Sequence, residues 1–166
     1  MRIIVSDNLP ARILYHSGPA VVEKPEVRES KFNKDFGFGF YCTMFREQAV
    51  RWATRFGGSG WLSHFEYTPA SELNTLVFPE MSDRWLDFVA DCRSGKLHDY
   101  DIVEGPMADD AIYNYVQDFL DGKISRMAFW ELAKFRHPTH QVSFHTPAAL
   151  SILKFVKGEE VKDEGL

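Results

Sequence analysis

The chain has 166 residues, 45% of them hydrophobic, which suits one domain with a real core. Its formal net charge of -5 excludes the broad basic face used to hold nucleic acid, so a nucleic-acid ligand would have to be met by a local patch. Aromatic residues make up 14%, with 14 Phe among them, which favours a layered fold and supplies rings for stacking on planar ligands.

Ile13-Leu14-Tyr15-His16 reads as a strand stopped by the turn residues Ser17-Gly18-Pro19. Residues 19–36 mix charges and prolines without a period and read as a loop. Asp35-Phe36-Gly37-Phe38-Gly39-Phe40-Tyr41-Cys42-Thr43 sets glycines among aromatics and then becomes strand-like, a pattern that marks close backbone approach or a special dihedral. Ala49, Val50, Trp52 and Ala53 fall at helical spacing within a helix predicted over 46–56 and stopped by Gly57-Gly58. Strands follow at 61–67 and 75–78. Ser82 caps a helix through about Cys92, with Trp85, Phe88 and Val89 on one face.

A short strand is predicted at 100–103, before Gly105-Pro106. Asp109 or Asp110 caps a helix striped by Ile112, Tyr115, Val116 and Phe119, and another helix runs over 125–135. Gln141-Val142-Ser143-Phe144 alternates as a strand, Thr146-Pro147 opens a short helix through Leu153, and the tail is strand-like. Strands at both ends with helices clustered between them predict a single α+β domain over 1–166 rather than a βαβ array. Two cysteines, Cys42 and Cys92, are too few for a disulfide scaffold. The N-terminus has no long apolar run, and no stretch reaches the roughly 18–20 apolar residues of a membrane span. A cytoplasmic protein without membrane attachment is expected.

Three groups of residues carry candidate chemistry. His16, at a strand end beside Ser17 and Gly18, has the chemistry to bond a ribose hydroxyl while the adjacent backbone binds an amide; the plainer alternative is a histidine satisfied by neighbouring carbonyls. Gly37, Gly39, Phe40 and Tyr41, with Trp52 eleven residues beyond Tyr41, offer close backbone approach and two rings that sandwich a planar group such as nicotinamide, or else form an aromatic core segment. The pattern lacks the third glycine and the helix placement of a Rossmann fingerprint. Gln141 shares a strand face with Ser143 and points into a cleft or to the surface. His137, His140 and His145 lack a matching cysteine pair or a His-Glu-x-x-His spacing, and Pro138 interrupts them, so no zinc site is expected. Cys42 is a poor nucleophile candidate, since buried cysteines are inert.

The combination of His16, Gly37-x-Gly39-Phe40-Tyr41, Trp52 and the late-strand Gln141 resembles the His-Tyr-Glu constellation of ADP-ribosyltransferases of the diphtheria-toxin and poly(ADP-ribose) polymerase type. A longer series comprises Leu14-Tyr15-His16, Asp35-Phe36-Gly37-x-Gly39-Phe40-Tyr41-x-Thr43, Gln48-Ala49-x-x-Trp52-Ala53, Gly105-Pro106-x-Ala108-Asp109-Asp110 and Phe144-His145-Thr146-x-x-Ala149-Leu150. Through it the chain resembles, over nearly its whole length, an uncharacterised bacterial domain family of about this size, often encoded beside a small partner. The transferase resemblance implies a split β-sandwich and NAD as substrate. It implies that His16 bonds the adenine-side ribose, that backbone near Tyr15, Ser17 or Gly18 grips the carboxamide, that Tyr41 stacks on nicotinamide with Trp52 opposite, and that Gln141 meets the nicotinamide ribose. It leaves an acceptor of unspecified class (protein, nucleic acid or small molecule), and the resemblance to the bacterial family implies a toxin or defence role and a small antitoxin-like partner.

Two departures from the transferase pattern matter. Ser17 stands between His16 and Gly18, where those enzymes have glycine directly after the histidine. Gln141 replaces a glutamate, and a neutral amide accepts a hydrogen bond but neither balances an oxocarbenium charge nor takes a proton. The loss of one preorganised stabilising group is worth about 2–4 kcal/mol, which leaves slow mono-ADP-ribosylation and disfavours chain elongation. Glu104, Asp109, Asp110 and Asp35 are the other acids considered: the aspartates at 109 and 110 as helix caps, and Asp35 as a residue that orients the glycine loop or faces an acceptor. The competing readings are a module that holds NAD or ADP-ribose without turnover and an interaction domain whose aromatic cleft takes a peptide.

Overall fold

The computed structural model describes residues 11–29, 34–108, 110–134 and 139–163. In chain order the elements are β1 (Arg12–Gly18), β2 (Phe40–Cys42), α1 (Arg46–Ala53), β3 (Ser59–Tyr67), β4 (Thr75–Val77), α2 (Asp83–Arg93), β5 (Ile102–Gly105), α3 (Asp110–Leu120), α4 (Arg126–Ala133), β6 (Gln141–Phe144), α5 (Pro147–Ser151) and β7 (Leu153–Lys162). Several boundaries follow from local chemistry. Ser82, Ser125 and Thr146 each accept a hydrogen bond from a backbone N–H of the helix they precede, and Pro147 supplies the first-turn geometry of α5.

The strands form two sheets. Antiparallel β1-β3-β7 makes one, and the order β2-β6-β5-β4, with β4 and β5 parallel, makes the other. Alternation along each strand then assigns three layers of packing. Leu14, Phe65 and Leu153 of the first sheet meet Phe40, Cys42, Ile102, Val142 and Phe144 of the second. The opposite face of the second sheet, with Val103 and Leu76, packs on Trp85, Leu86 and Val89 of α2, Ile112 and Val116 of α3, and Phe129 of α4. Helix α1 covers the outer face of the first sheet through Ala49 against Leu62 and Val161. All four residues of β6 are buried, because it is the strand covered on both sides. Among the described residues the architecture is therefore α+β, with two sheets and five helices.

Three expectations shift. The helix predicted over 46–56 ends at Ala53: the Thr54 hydroxyl turns back onto the Val50 carbonyl, and Gly57 and Gly58 take φ of +84° and +80°. The strand predicted at 100–103 begins at Ile102, because Asp101 is spent on a junction. Its backbone N–H donates to Asn74 O, and its carboxylate accepts from Asn74 N and Thr146 Oγ1. The helix opened by Thr146-Pro147 stops at Ser151, so Leu153 is the first residue of β7. Asp109 lies outside the described residues, and α3 starts at Asp110. Among the described residues no helix is long and apolar enough to cross a membrane.

The two sheets are tied at one corner by an ionic cluster. Arg12 of β1 grips Glu104 of β5 with two hydrogen bonds of 2.9 and 3.0 Å, and His140 Nε2 meets the same carboxylate at 2.7 Å. His140 Nδ1 accepts from Met44 N, which leaves the proton on Nε2 to be donated to Glu104. Burial opposes the charge on Glu104, but the bonds from His140 and Arg12 prevail and bring its pKa from 4.5 to about 2. A carboxylate whose folded pKa is depressed contributes stability fully above its unfolded pKa and loses it as pH falls toward the folded value. Glu104→Gln is therefore expected to cost on the order of 3 kcal/mol at neutral pH, at about 1.4 kcal/mol per pKa unit. In denaturant titrations the gap to wild type should narrow from pH 4.5 downward and close near pH 2. A gap that stays constant across that window would show that the cluster adds no pH-linked stability.

Candidate functional site

The first and second sheets part where β1 leaves β2. One antiparallel bridge, Tyr15 to Thr43, joins them through backbone hydrogen bonds of 2.8 and 3.0 Å. The next residue, His16, points between the sheets. Its ring stacks on Phe40, with centroids 4.1 Å apart, and Nδ1 lies 2.7 Å from the Tyr41 carbonyl. A carbonyl only accepts, so Nδ1 carries the proton and Nε2 presents a lone pair. Burial, with Lys34 nearby, lowers the His16 pKa despite the opposing effect of the carbonyl bond, which keeps the ring neutral. Nε2 bonds none of the described residues and looks toward Gly18, where a Cβ would stand 4.0 Å from it. Tyr15 turns to the other side of the strand, edge-on to His64, and Ser17 Oγ donates to Ala49 O of α1.

The glycine segment before β2 has no regular structure, so its carbonyls need other partners. Three consecutive ones are taken by three side chains: His98 Nε2 donates to Phe36 O at 2.8 Å, Tyr41 Oη to Gly37 O at 2.6 Å, and His145 Nδ1 to Phe38 O at 2.8 Å. Gly37 adopts φ +87°, the left-handed region that glycine enters without steric cost. At Gly39 a Cβ would stand 2.9 Å from His145 Nδ1 and 3.1 Å from Phe144 O, so only glycine fits. With its Nδ1 proton committed, His145 accepts at Nε2 from Ser143 Oγ at 2.7 Å; burial lowers its pKa to about 4, which suits that role. Ser143 lies directly opposite Tyr41 across the β2–β6 pair. Burial, followed by the charge of Asp35, pushes the Tyr41 phenol well above its usual range, so it remains a donor.

Asp35 anchors this segment. Its Oδ1 accepts from Arg93 Nε and Nη2 at 3.0 and 2.6 Å, and its Oδ2 from Ala108 N at 2.8 Å and Gln141 Nε2 at 3.2 Å. Arg93 is itself buried, bonds the Tyr113 and Ala108 carbonyls, and lies 4.0 Å over the Tyr113 ring. Gln141 also donates to Pro106 O at 3.4 Å. Both neighbours of its amide are acceptors, which fixes the NH2 toward them. Gln141 Oε1 therefore faces away, accepts nothing from the described residues and is not sealed from solvent. A glutamate here would press its carboxylate onto Asp35.

The two rings expected to form a sandwich each carry a cation instead. Lys34 Nζ lies 5.0 Å over the Tyr41 ring, and the Arg55 guanidinium 4.4 Å over Trp52 and 4.7 Å over Phe56. Burial, and after it the charge of Arg55, lowers the Lys34 pKa. Trp52 is 38% exposed. The structure thus sets the His16 ring on the Phe40 ring and against the Tyr41 backbone carbonyl, packs the Tyr41 side chain against the helical-layer core, brings Gln141 in through Asp35, and sets Trp52 under Arg55. Sequence reading missed Lys34, Arg55 and Arg93. Arg93 ends a helix, where a basic residue reads as dipole compensation, and neither other cation has a spacing signal. Of the residues weighed for metal or nucleophile, His140 is bound to Glu104 and His145 to Ser143 and Phe38; His137 lies outside the described residues. Burial pushes the Cys42 thiol up and that of Cys92 up to about 12.

Residues 12–155 match the family described as protein of unknown function (DUF3990), and the chain belongs to that family. No curated protein matches it.

Removing the Asp35 carboxylate breaks a buried ion pair with Arg93, so Asp35→Ala should cost roughly 3–5 kcal/mol in chemical denaturation. Gln141→Glu should also destabilise by repelling Asp35. The charge swap Asp35→Asn/Gln141→Glu, which keeps one carboxylate near Arg93, should be more stable than the sum of its single variants predicts. Additive losses in this double-mutant cycle would disprove the coupling.

Proposed function

We propose that this DUF3990 chain binds NAD+ in the cleft between β1 and β2 and transfers its ADP-ribose to an acceptor, with release of nicotinamide. The observation that carries the reading is the 2.7 Å contact of His16 with the Tyr41 carbonyl at the parting of the two sheets. It joins two of the three residues of the transferase constellation across 25 positions of sequence and leaves an unshared Nε2 lone pair beside Gly18. On this reading the sheets form a split β-sandwich, His16 Nε2 accepts from a ribose hydroxyl, and backbone near Ser17 and Gly18 holds the carboxamide. Tyr41 offers its ring face to nicotinamide. Gln141 Oε1, the amide atom turned away from Asp35, accepts from the nicotinamide ribose.

The reaction expected of such a cleft is dissociative: the glycosidic bond breaks, its electrons leave with nicotinamide, and an acceptor nucleophile adds to the exposed anomeric carbon. The phenol of Tyr41 and the amide of Gln141 are both neutral, so the cationic sugar has no charged partner from these two groups, and turnover should be slow. The hold of Asp35 on the Gln141 amide favours a second reading, a module that retains NAD+ or ADP-ribose without turnover. A small antitoxin-like protein would neutralise either activity by covering the mouth of the cleft. The acceptor class, whether protein, nucleic acid or small molecule, is the open chemical variable of the transferase reading.

At a hundred times its Kd, NAD+ should stabilise the chain by about 2.7 kcal/mol in a thermal unfolding assay. His16→Ala and Tyr41→Ala should each weaken binding about tenfold or more, the loss of roughly 1.4 kcal/mol of contact. Release of free nicotinamide, assayed with cell extract as the source of acceptor, separates transfer from retention. No stabilisation by NAD+, or unchanged binding in Tyr41→Ala, would sink both readings.

A further inference from the structure

Lys34 stands where part of the proposed ligand has to go. Its ammonium covers the Tyr41 ring at 5.0 Å, and that ring is the platform offered to nicotinamide. The nicotinamide ring of NAD+ is itself cationic, and two cations cannot share one aromatic face. Lys34 is also the side chain best able to move, because a lysine ammonium rides on a flexible four-carbon stem. Among the described residues no hydrogen bond or ion pair holds its ammonium. Asp35 stabilises its charge only from a distance, since both Asp35 oxygens are engaged by Arg93, Ala108 and Gln141.

Arg55 supplies the second half of the arrangement. It lies exposed over Trp52 and Phe56 just beyond the end of α1, and its charge opposes that of Lys34. Two cations whose charges act on each other favour an anion placed between them, against the chain's net charge of -5. A dinucleotide carries such an anion, its diphosphate, close to the nicotinamide riboside.

Resting on the NAD+ reading above, we propose that Lys34 is an exchanging cation. When the ligand arrives, its ammonium leaves the face of Tyr41 for the diphosphate, which it grips together with Arg55, and the vacated ring receives the cationic nicotinamide. One residue then opposes one half of the ligand and attracts the other. The two halves must bind cooperatively: filling the diphosphate site draws off the cation that blocks the ring. The device favours ligands that join a cationic ring to a diphosphate over ligands carrying either group alone.

The test titrates two fragments into the full chain by calorimetry: ADP, which has the diphosphate without nicotinamide, and 1-methylnicotinamide, a cationic nicotinamide without phosphate. In the wild type, saturating ADP should tighten 1-methylnicotinamide about fivefold, the equivalent of about 1 kcal/mol of relieved cation competition on an aromatic face. Lys34→Ala should bind 1-methylnicotinamide about fivefold tighter without ADP and bind ADP several-fold more weakly. Arg55→Gln should weaken ADP alone. Opposite signs for the two fragments are the signature, because a merely structural lysine would move both the same way. Independent binding of the two fragments to the wild type, or a Lys34→Ala variant that loses both, overturns the exchange. The wild-type arm decides even if Lys34→Ala folds poorly. NAD+ binding with independent fragments removes the exchange and leaves the NAD+ reading standing; failure of NAD+ itself to bind removes both.

Discussion

The Asp35 carboxylate accepts four hydrogen bonds from three separate parts of the chain: the last residue of α2, the backbone that leads into α3, and the first residue of β6. It is attached to the segment that carries Phe36, Gly37 and, after β2 begins, Tyr41. Without it the segment would be a surface loop held by three side-chain hydrogen bonds to its carbonyls, each worth about 0.5–1.5 kcal/mol. With it the segment is pinned against the helical layer, and Phe36 becomes fully buried core. The orientation of the Gln141 amide and the setting of the Tyr41 ring both follow from this one buried ion pair.

That dependence gives the glutamine at 141 a reason independent of any chemistry it performs. A carboxylate at that position would share a buried space with Asp35 and face the Pro106 carbonyl, so charge repulsion and missing donors would both oppose it. The residue type is dictated by the scaffold, and the amide oxygen, which has no partner among the described residues, is what remains for a ligand. Seen from sequence alone, Gln141 is a transferase glutamate that has lost its charge. In the folded chain the negative charge is present one residue deeper, on Asp35, where it is neutralised by Arg93.

The parts that were readable from the sequence are those governed by near neighbours. The cap at Ser82, the helix opened by Thr146-Pro147, the alternation of Gln141 through Phe144, and the stripe Ile112, Val116 and Phe119 all rest on spacings of four residues or fewer. The errors also have local causes of another kind: Asp101 bonding Asn74 delays β5, and the Thr54 hydroxyl helps to end α1. What lay beyond reading were contacts set by topology. Gln141 meets Asp35 across 106 positions, and Gln48 hydrogen-bonds both backbone groups of His140 across 92. No periodicity announces either. His16 and Tyr41 were picked out as residues, but that the ring of one would bond the carbonyl of the other depends on two sheets parting at Tyr15 and Thr43.

Placing the site at that parting has a physical logic. Where two sheets separate, the flanking backbone loses ladder partners and the side chains between them lose packing neighbours, so polar and aromatic groups gather there at less cost than in a closed layer. His16 satisfies one orphaned carbonyl and still has a second nitrogen to offer. Tyr41 satisfies another with its hydroxyl while its ring stays open to a cation. The residues that repair the break in the sheet are therefore the same ones left with unused bonding capacity, and the scaffold's repair and the candidate site are one set of atoms.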